Sequence, residues 1–224
     1  ATADRPEIPD ELRELWAQLE DLRAEHQALG QELRAQVEAN HALREQIRAQ
    51  AAEVSNSLRA AVEEYRAFCE STIRPLREQL AQLQRALREA IKAGDRELAA
   101  RIREQLAGVL EQLQEAQEQA ADMNARIRTL RAEWAEVTET LRDSHAQCAP
   151  LIEQSQAIRL EVAELCLEKD AAWQEFVEAL EAGDIDAAEA ALQQIISLKQ
   201  QIIGLTEDLL ALAQEVGAIL EQTL

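Results

Sequence analysis

Apolar side chains recur three or four residues apart, almost without interruption, from Leu12 to Ile219. This spacing places them on one face of an α-helix, whereas a strand would require strict alternation. The sharp breaks in the pattern are two copies of the tripeptide Ala-Gly-Asp, at 93–95 and 182–184. Glycine accepts the left-handed backbone that ends a helix, and aspartate can cap the helix that follows. The pattern therefore predicts an all-α chain whose helices end at these two turns.

The helices predicted on either side of the first turn, 10–92 and 95–182, have nearly equal lengths. A three-residue turn forces the helices that it joins to pack as antiparallel neighbours. We therefore predict a long antiparallel coiled-coil hairpin with a third helix folding back. The predicted segments are an N-terminal tail at 1–9, a long helical arm at 10–148 and a helical bundle end at 149–224.

Local breakers predict irregularities within the arm. Ser55-Asn56-Ser57 and Pro75 predict a kink or short break in the first helix, and Pro150 predicts an interruption of the second. Asp10 is the predicted N-cap of the first helix. If the chain instead reverses at 55–57 and again at 144–150, the product is two spectrin-like three-helix units that share a helix. This alternative is also all-α.

Polar residues occupy some positions of the first apolar seam. A polar residue in a core layer costs stability and commonly fixes the register or the partner of a coiled coil. We predict this register-setting role for His26, Gln36, Asn40 and Gln50.

The third predicted helix carries two apolar stripes side by side. A helix of this kind must be covered on two sides. The 150–182 segment would cover one side, and either the first helix or a second subunit would cover the other. We therefore predict an oligomer interface in 185–224. Its candidate contact residues are Ile195, Ile196, Ile202, Ile203, Leu209, Leu210, Val216 and Leu220.

Histidines, cysteines and carboxylates are the residues of this sequence that could bind a metal or carry out catalysis. Glu38 and His41 match the Glu-x-x-His pattern of di-iron bundles, and His145 lies three residues from Cys148. The heptad phase that puts Asn40 on the seam points Glu38 and His41 outward, and the sequence lacks a second Glu-x-x-His. It also lacks a Gly-rich phosphate loop, a Ser/His/Asp arrangement and zinc-finger spacing. We expect no catalytic, cofactor-binding or metal-binding residues, and no enzymatic activity.

Charge narrows the possible partners. The 224 residues include 43 acidic and 23 basic residues, which gives a formal net charge of -20. Nucleic acid requires a basic surface, and an anionic membrane repels an acidic one, so both are disfavoured as partners. Only 3% of the residues are aromatic, and the three tryptophans fall on or near seams, which predicts packing anchors.

The cysteines and the hydropathy indicate the cellular compartment in which the protein is expected. Cys69, Cys148 and Cys166 have neither metal-site nor disulfide spacing, and no apolar run approaches the roughly 18 residues of a membrane span. The beginning of the sequence has neither the basic start nor the apolar run of a signal peptide. We therefore expect a cytoplasmic protein with reduced thiols.

The two turns carry a family resemblance. The first turn, Lys92-Ala93-Gly94-Asp95-Arg96-Glu97-Leu98-Ala99-Ala100-Arg101-Ile102, resembles the hairpin tip of the phage-shock protein A family, a bacterial branch of the ESCRT-III fold. The second turn, Glu181 to Ala188, is similar to a later helix junction in that family and to turns in flagellar export chaperones. The resemblance to the phage-shock family implies membrane remodelling by a polymer.

These observations favour a non-enzymatic coiled-coil scaffold. It would bind a protein partner or self-associate through its helical faces, as a homo-oligomer. Three alternatives stay open at this point. They are a membrane-associated polymer of the phage-shock type, a bundle similar to an export chaperone, and a helical bundle that binds a metal or another ligand.

Overall fold

The computed structural model describes residues 8–224, which form helices joined by short turns. The elements in chain order are a 3-10 turn (Asp10–Leu12), α1 (Arg13–Phe68), a π-helical turn (Cys69–Ile73), α2 (Arg74–Ala93), α3 (Arg96–Ala182) and α4 (Ile185–Thr223). None of the described residues belongs to a strand. The predicted all-α hairpin fold, with a further helix after the second turn, is confirmed.

Both Ala-Gly-Asp turns have the left-handed glycine and the aspartate cap that their residues predict. Gly94 and Gly183 have φ angles of 74° and 71°, in the left-handed region that residues with a Cβ avoid. At each turn the aspartate Oδ1 accepts a hydrogen bond from the backbone N–H three residues later. The distances are 2.9 Å for Asp95 and 3.0 Å for Asp184. The glycine therefore ends one helix, and the aspartate caps the next.

The predicted interruptions at 55–57 and at Pro150 are wrong, and so is the spectrin-like alternative. Residues 55–57 lie inside α1, and Pro150 lies inside α3, so the chain reverses at neither place. Proline removes one helical hydrogen bond, but its neighbours Cys148 and Leu151 are both buried in the same apolar cluster. This packing holds the helix together through the proline, because tertiary burial outweighs local propensity.

A π-helical turn at Cys69–Ile73 takes the place of the kink predicted near Pro75. The proline ring at position 75 crowds the carbonyl four residues earlier, and a wider turn relieves that crowding. Ile73 within this turn is buried against Leu113, Ala116 and Ala120 of α3. The irregular backbone is therefore packed rather than exposed.

Asp10 was predicted to cap the first helix, and this prediction is wrong. Pro9 occupies the capping position, and no side chain caps the 3-10 turn that Asp10 begins. Asp10 instead forms an ion pair with Arg13, one turn later.

The chain divides into two compact units. The first, here called the three-helix unit, comprises the described residues up to Ile47 together with Thr140–Leu224. It contains the beginning of α1, the end of α3 and all of α4. The second unit, Arg48–Glu139, contains the rest of α1, α2 and the beginning of α3. The predicted boundary between 148 and 149 divides the chain in sequence order and stays a prediction.

The two units have different cores. In the three-helix unit, large side chains dominate, and Phe176, Leu12, Leu19 and Leu192 are all less than 2% exposed. In the Arg48–Glu139 unit, many of the buried positions are small, since they include Ala61, Ala90, Ala99, Ala116 and Ala120. Burial of apolar area is the main source of stability. We therefore infer that the hydrophobic core of the three-helix unit stabilises it more than the core of the Arg48–Glu139 unit does.

Replacing Gly94 with alanine should destabilise the Arg48–Glu139 unit by about 1 kcal/mol, because a side chain strains the left-handed backbone. Gly108→Ala is the matched control, since this glycine lies inside α3. A Cβ at either position would meet nothing within 4 Å, so only the backbone differs. The control should stabilise the unit by about 0.5–1 kcal/mol. Hydrogen exchange of the unit's amides would measure both, and shifts of the same sign would contradict the prediction.

Candidate functional site in the three-helix unit

The apolar stripes of α4 are covered by the chain itself. Seven of the eight predicted interface residues are buried, and only Leu210 is half-exposed. Ile195 and Ile196 belong to the same buried cluster as Leu19 of α1 and Phe176 of α3. Within one chain, these predicted interface residues are therefore covered by α1 and α3, and the oligomer interface predicted in 185–224 stays a prediction. These side chains form the core of one chain, and a second copy could reach them only by displacing α1 or α3.

A polar layer crosses this apolar core at Asn40. Its Nδ2 donates to the backbone carbonyl of Ala213 in α4 at 2.7 Å, and Gln36 Nε2 donates to Asn40 Oδ1 at 3.0 Å. Asn40 is only 7% exposed, so water cannot readily replace either bond. Leaving such an amide unpaired costs about 1–3 kcal/mol. Both hydrogen bonds form at one axial position of α4 against α1, and the register-setting role of Asn40 and Gln36 stays a prediction.

Gly217 makes room for this layer. An ideal Cβ at Gly217 would lie 2.7 Å from Asn40 Oδ1 and 2.8 Å from Gln36 Nε2, closer than real Cβ contacts come. Glycine inside a helix is less favourable than alanine by about 1 kcal/mol. Sequence reasoning missed Gly217. The available signal was a glycine in the middle of an otherwise apolar helix.

His26 forms a second polar contact between the same two helices. The ammonium of Lys199 in α4 donates to His26 Nδ1. Both polar contacts join residues that are 173 positions apart, so α1 and α4 run parallel with one constant offset. Burial is the first cause that lowers the pKa of His26, and the charges of Lys199 and Lys169 lower it further. A neutral imidazole is the form that can accept from Lys199.

Gln50, the fourth predicted register residue, has a different setting. It is exposed and belongs to the Arg48–Glu139 unit, and it takes no part in the contacts of Asn40 or His26.

An aromatic cluster packs where α1 meets α3. The ring centroids of Trp16 and Trp173 lie 5.9 Å apart, and those of Trp173 and Phe176 lie 5.4 Å apart. The guanidinium of Arg23 sits 5.4 Å from the Trp16 ring and 5.3 Å from the Trp173 ring. Two of the three predicted tryptophan anchors thus meet in one cluster, which also holds a cation in place.

The outward face of α3 carries exposed leucines that the sequence analysis did not single out. Ile152, Leu160 and Leu167 are 39%, 69% and 72% exposed. Helical geometry puts them within an arc of about 100° that faces away from the buried positions. The same arc contains further exposed residues, with Asp170 along one edge, and its uncharged members are called the outer strip: Ile152, Gln156, Leu160, Ala163, Leu167 and Ala171. The spacing of seven between Leu160 and Leu167 was the missed signal.

A groove of about 270 Å³ adjoins the outer strip. Ile152 and Gln156 line both features, and Leu151, Leu212 and Asn40 contribute to the groove wall. The groove therefore reaches from the outer strip to the polar layer.

The residues of the Glu-x-x-His motif are not brought together with thiol ligands. Glu38, His41 and His145 are exposed, whereas Cys148 is 5% exposed within an apolar cluster. Burial raises the pKa of the Cys148 thiol, which favours the protonated form over the thiolate that binds metals. Among residues 8–224, no group of three or more potential ligands from His, Cys, Asp and Glu is placed to hold a metal ion.

Within the described part of the chain, no helix combines sufficient length and apolarity to cross a bilayer.

Comparison with known proteins returns no match to this chain, whether with family models, with curated proteins or with solved structures. The fold and the site define its class as an all-α helical hairpin protein with a fold-back helix. Any more specific role has to be argued from the geometry.

Gly217→Ala should destabilise the three-helix unit by about 1 kcal/mol or more, because the new Cβ must displace the Asn40 and Gln36 amides. Gly204→Ala on the same helix is the control. A Cβ there meets nothing within 4 Å, so this variant should be neutral or stabilising. In an Asn40→Ala background, the Gln36 amide loses the acceptor that holds it and can rotate away, so the Gly217→Ala penalty should disappear. Urea unfolding of the four variants measures this coupling, and a penalty that persists without Asn40 would contradict it.

The three-helix unit should become less stable as the pH decreases, because the folded state lowers the pKa of His26. Its native pKa lies below the unfolded value of 6.5, so the unfolded chain binds more protons between the two values. Stability is therefore complete above about pH 6.5 and is lost as the pH drops toward the native pKa. His26→Gln should make the urea midpoint less dependent on pH between about 7 and 5. The exposed His145→Gln is the matched control, and equal effects of the two substitutions would contradict the assignment.

Proposed function

We propose that this protein is a non-enzymatic helical interaction protein whose outer strip binds an amphipathic helix of a partner protein. The observation that carries the proposal is the exposure of Leu160 and Leu167, 69% and 72%, on the same face as Ile152. Single exposed leucines are common on protein surfaces, but a regular row along one helix is a typical recognition surface.

The geometry of the outer strip suits a helix as its partner. Leu160 and Leu167 are separated by one heptad, the repeat with which side chains of two helices interdigitate. Between and beyond them, Ala163 and Ala171 are small, so a second helix can approach closely. Full burial of a leucine is worth about 1.5–3 kcal/mol, so two leucines supply a large share of the affinity of a weak complex.

Charge indicates the chemistry of that partner. One edge of the outer strip carries Glu153, Glu164, Glu168 and Glu175, all exposed. A complementary helix would place lysines or arginines along the facing edge, which steers association and fixes orientation. The same row of glutamates, on a chain of net charge -20, disfavours a second copy or an anionic membrane at this surface.

Two further observations support a structural role in a reducing compartment. The buried amides of Gln36 and Asn40 are occupied by hydrogen bonds that hold helices together, which supports a structural use over catalysis. Cys69, Cys148 and Cys166 are free thiols, and this supports a reducing compartment such as the cytoplasm.

The test is a double substitution, Leu160→Gln with Leu167→Gln. Its probe is a fluorescent synthetic helix of about three heptads, with leucines along one stripe and lysines along one edge. The unaltered chain should bind this probe, and the double variant should bind it at least about tenfold more weakly, since about 1.4 kcal/mol corresponds to tenfold. Leu110→Gln with Ile91→Gln, two residues 51% and 54% exposed in the other unit, is the control and should bind normally.

Other outcomes discriminate between the possible functions. A probe with glutamates along its edge should bind much more weakly, and equal binding would remove the charge argument. Loss of a dimer in the double variant, measured by sedimentation, would make the outer strip a self-association surface. Co-sedimentation with anionic liposomes that depends on the two leucines would favour a membrane-associated polymer. Unchanged probe binding by the double variant would overturn the proposal.

A further inference from the structure

A cavity in the three-helix unit is richer in positive charge than the rest of this acidic chain. Its volume is about 270 Å³, and it lies where α1, α3 and α4 meet. The residues that line it are Leu19, Arg23, Lys169, Asp170, Trp173, Ile195 and Lys199. The lining thus combines three cations, one carboxylate and apolar walls in a chain of net charge -20.

Each of the three helices contributes one cation. Arg23 comes from α1, Lys169 from α3 and Lys199 from α4. The whole chain has only three lysines, and two of them are in this cavity, whereas Lys92 lies elsewhere. Like charges repel, so bringing three cations from three helices together costs free energy unless something compensates for it.

Carboxylates of the chain compensate for two of the three cations. Glu20 Oε1 lies 3.3 Å from Arg23 Nη1, and Asp170 Oδ1 lies 3.0 Å from Lys169 Nζ. Among residues 8–224, no carboxylate forms an ion pair with Lys199, whose polar contact is His26. Three cations against two carboxylates leave one positive charge, centred on Lys199.

The environment of Lys199 disfavours its ammonium form. Burial is the main cause that lowers the pKa of Lys199, and repulsion from Lys169 and Arg23 adds to it, with Cys166 opposing the shift. A negative charge in the cavity would reverse these effects, because an opposite charge nearby stabilises the ammonium.

We propose that this cavity binds a small oxyanion through the ammonium groups of Lys199 and Lys169 and the guanidinium of Arg23. Arg23 is already fixed over the rings of Trp16 and Trp173, so little conformational freedom is lost on binding. Trp173 supplies an apolar wall, and Asp170, paired with Lys169, keeps the anion on the Lys199 side. The shared chemistry is a phosphate or carboxylate group carried by a small molecule.

The experiment uses tryptophan emission of the full chain in a Trp134→Phe background, so that only Trp16 and Trp173 report. Inorganic phosphate and acetate are titrated separately at constant ionic strength. At least one should give a saturable change in emission. Lys199→Gln should weaken the apparent affinity at least about fivefold, whereas Lys199→Arg, which keeps the positive charge, should retain more of the affinity than Lys199→Gln does. Lys92→Gln is the matched control, because Lys92 is exposed and pairs with Glu89 in the other unit.

A chemical measurement separates site binding from general salt effects. Phosphate stabilises many folded proteins by exclusion from their surfaces, so a higher Tm alone would decide nothing. Acetylation of lysines, followed by mass spectrometry, should show that the bound anion protects Lys199 and leaves Lys92 unprotected. Saturation by phosphate alone identifies a phosphate site, and saturation by acetate identifies a carboxylate site. If neither anion saturates, or if Lys199→Gln responds like the unaltered chain, the proposal is overturned.

Discussion

The constraint on which the three-helix unit depends is the covering of α4. Its buried face includes residues from both of its apolar stripes, and only α1 and α3 together are wide enough to remove them from water. Each fully buried aliphatic side chain contributes about 1.5–3 kcal/mol, so this burial is the main source of stability. Apolar burial is not directional, however, and sliding α4 by one turn would still bury leucine against leucine. The polar contacts remove that ambiguity.

Two polar contacts between α1 and α4 share one offset. Asn40 with Ala213 and His26 with Lys199 are both separated by 173 positions. They are two heptads apart on each helix, about 21 Å by helical rise. A one-turn slip would break both contacts at once and would also drive Gly217 away from the amides that need its missing side chain. The two contacts contribute a few kcal/mol, which is small beside the free energy of apolar burial. Apolar burial is nearly equal in neighbouring registers, however, so this small difference can distinguish between them.

The features that could be predicted from the sequence are those that short-range chemistry decides. The turns at Gly94 and Gly183 need only a residue without a Cβ and an aspartate beside it, and both are present within three residues. Asn40 was predicted as a polar seam residue because heptad phase is local. Its partner Gly217 was missed, because their contact joins positions far apart in the chain. The prediction at Pro150 failed because burial of Cys148 and Leu151 outweighs one lost hydrogen bond. The covering of α4 by both α1 and α3 could not be predicted, because a stripe in a sequence does not say which surface covers it.

The end of α3 contributes to the core, to the outer strip and to the cavity, because successive residues of a helix are rotated by about 100° and so point in different directions. Leu151, Lys169 and Phe176 lie on the face that packs into the three-helix unit, where Lys169 lines the cavity, and Leu160 and Leu167 lie on the opposite face. Substitutions of the exposed leucines should therefore leave the core almost unchanged, because no buried contact depends on them. Lys169 is different, since its ion pair with Asp170 lies two residues from Leu167. Whatever occupies the outer strip near Leu167 therefore approaches a carboxylate that also controls the charge of the cavity.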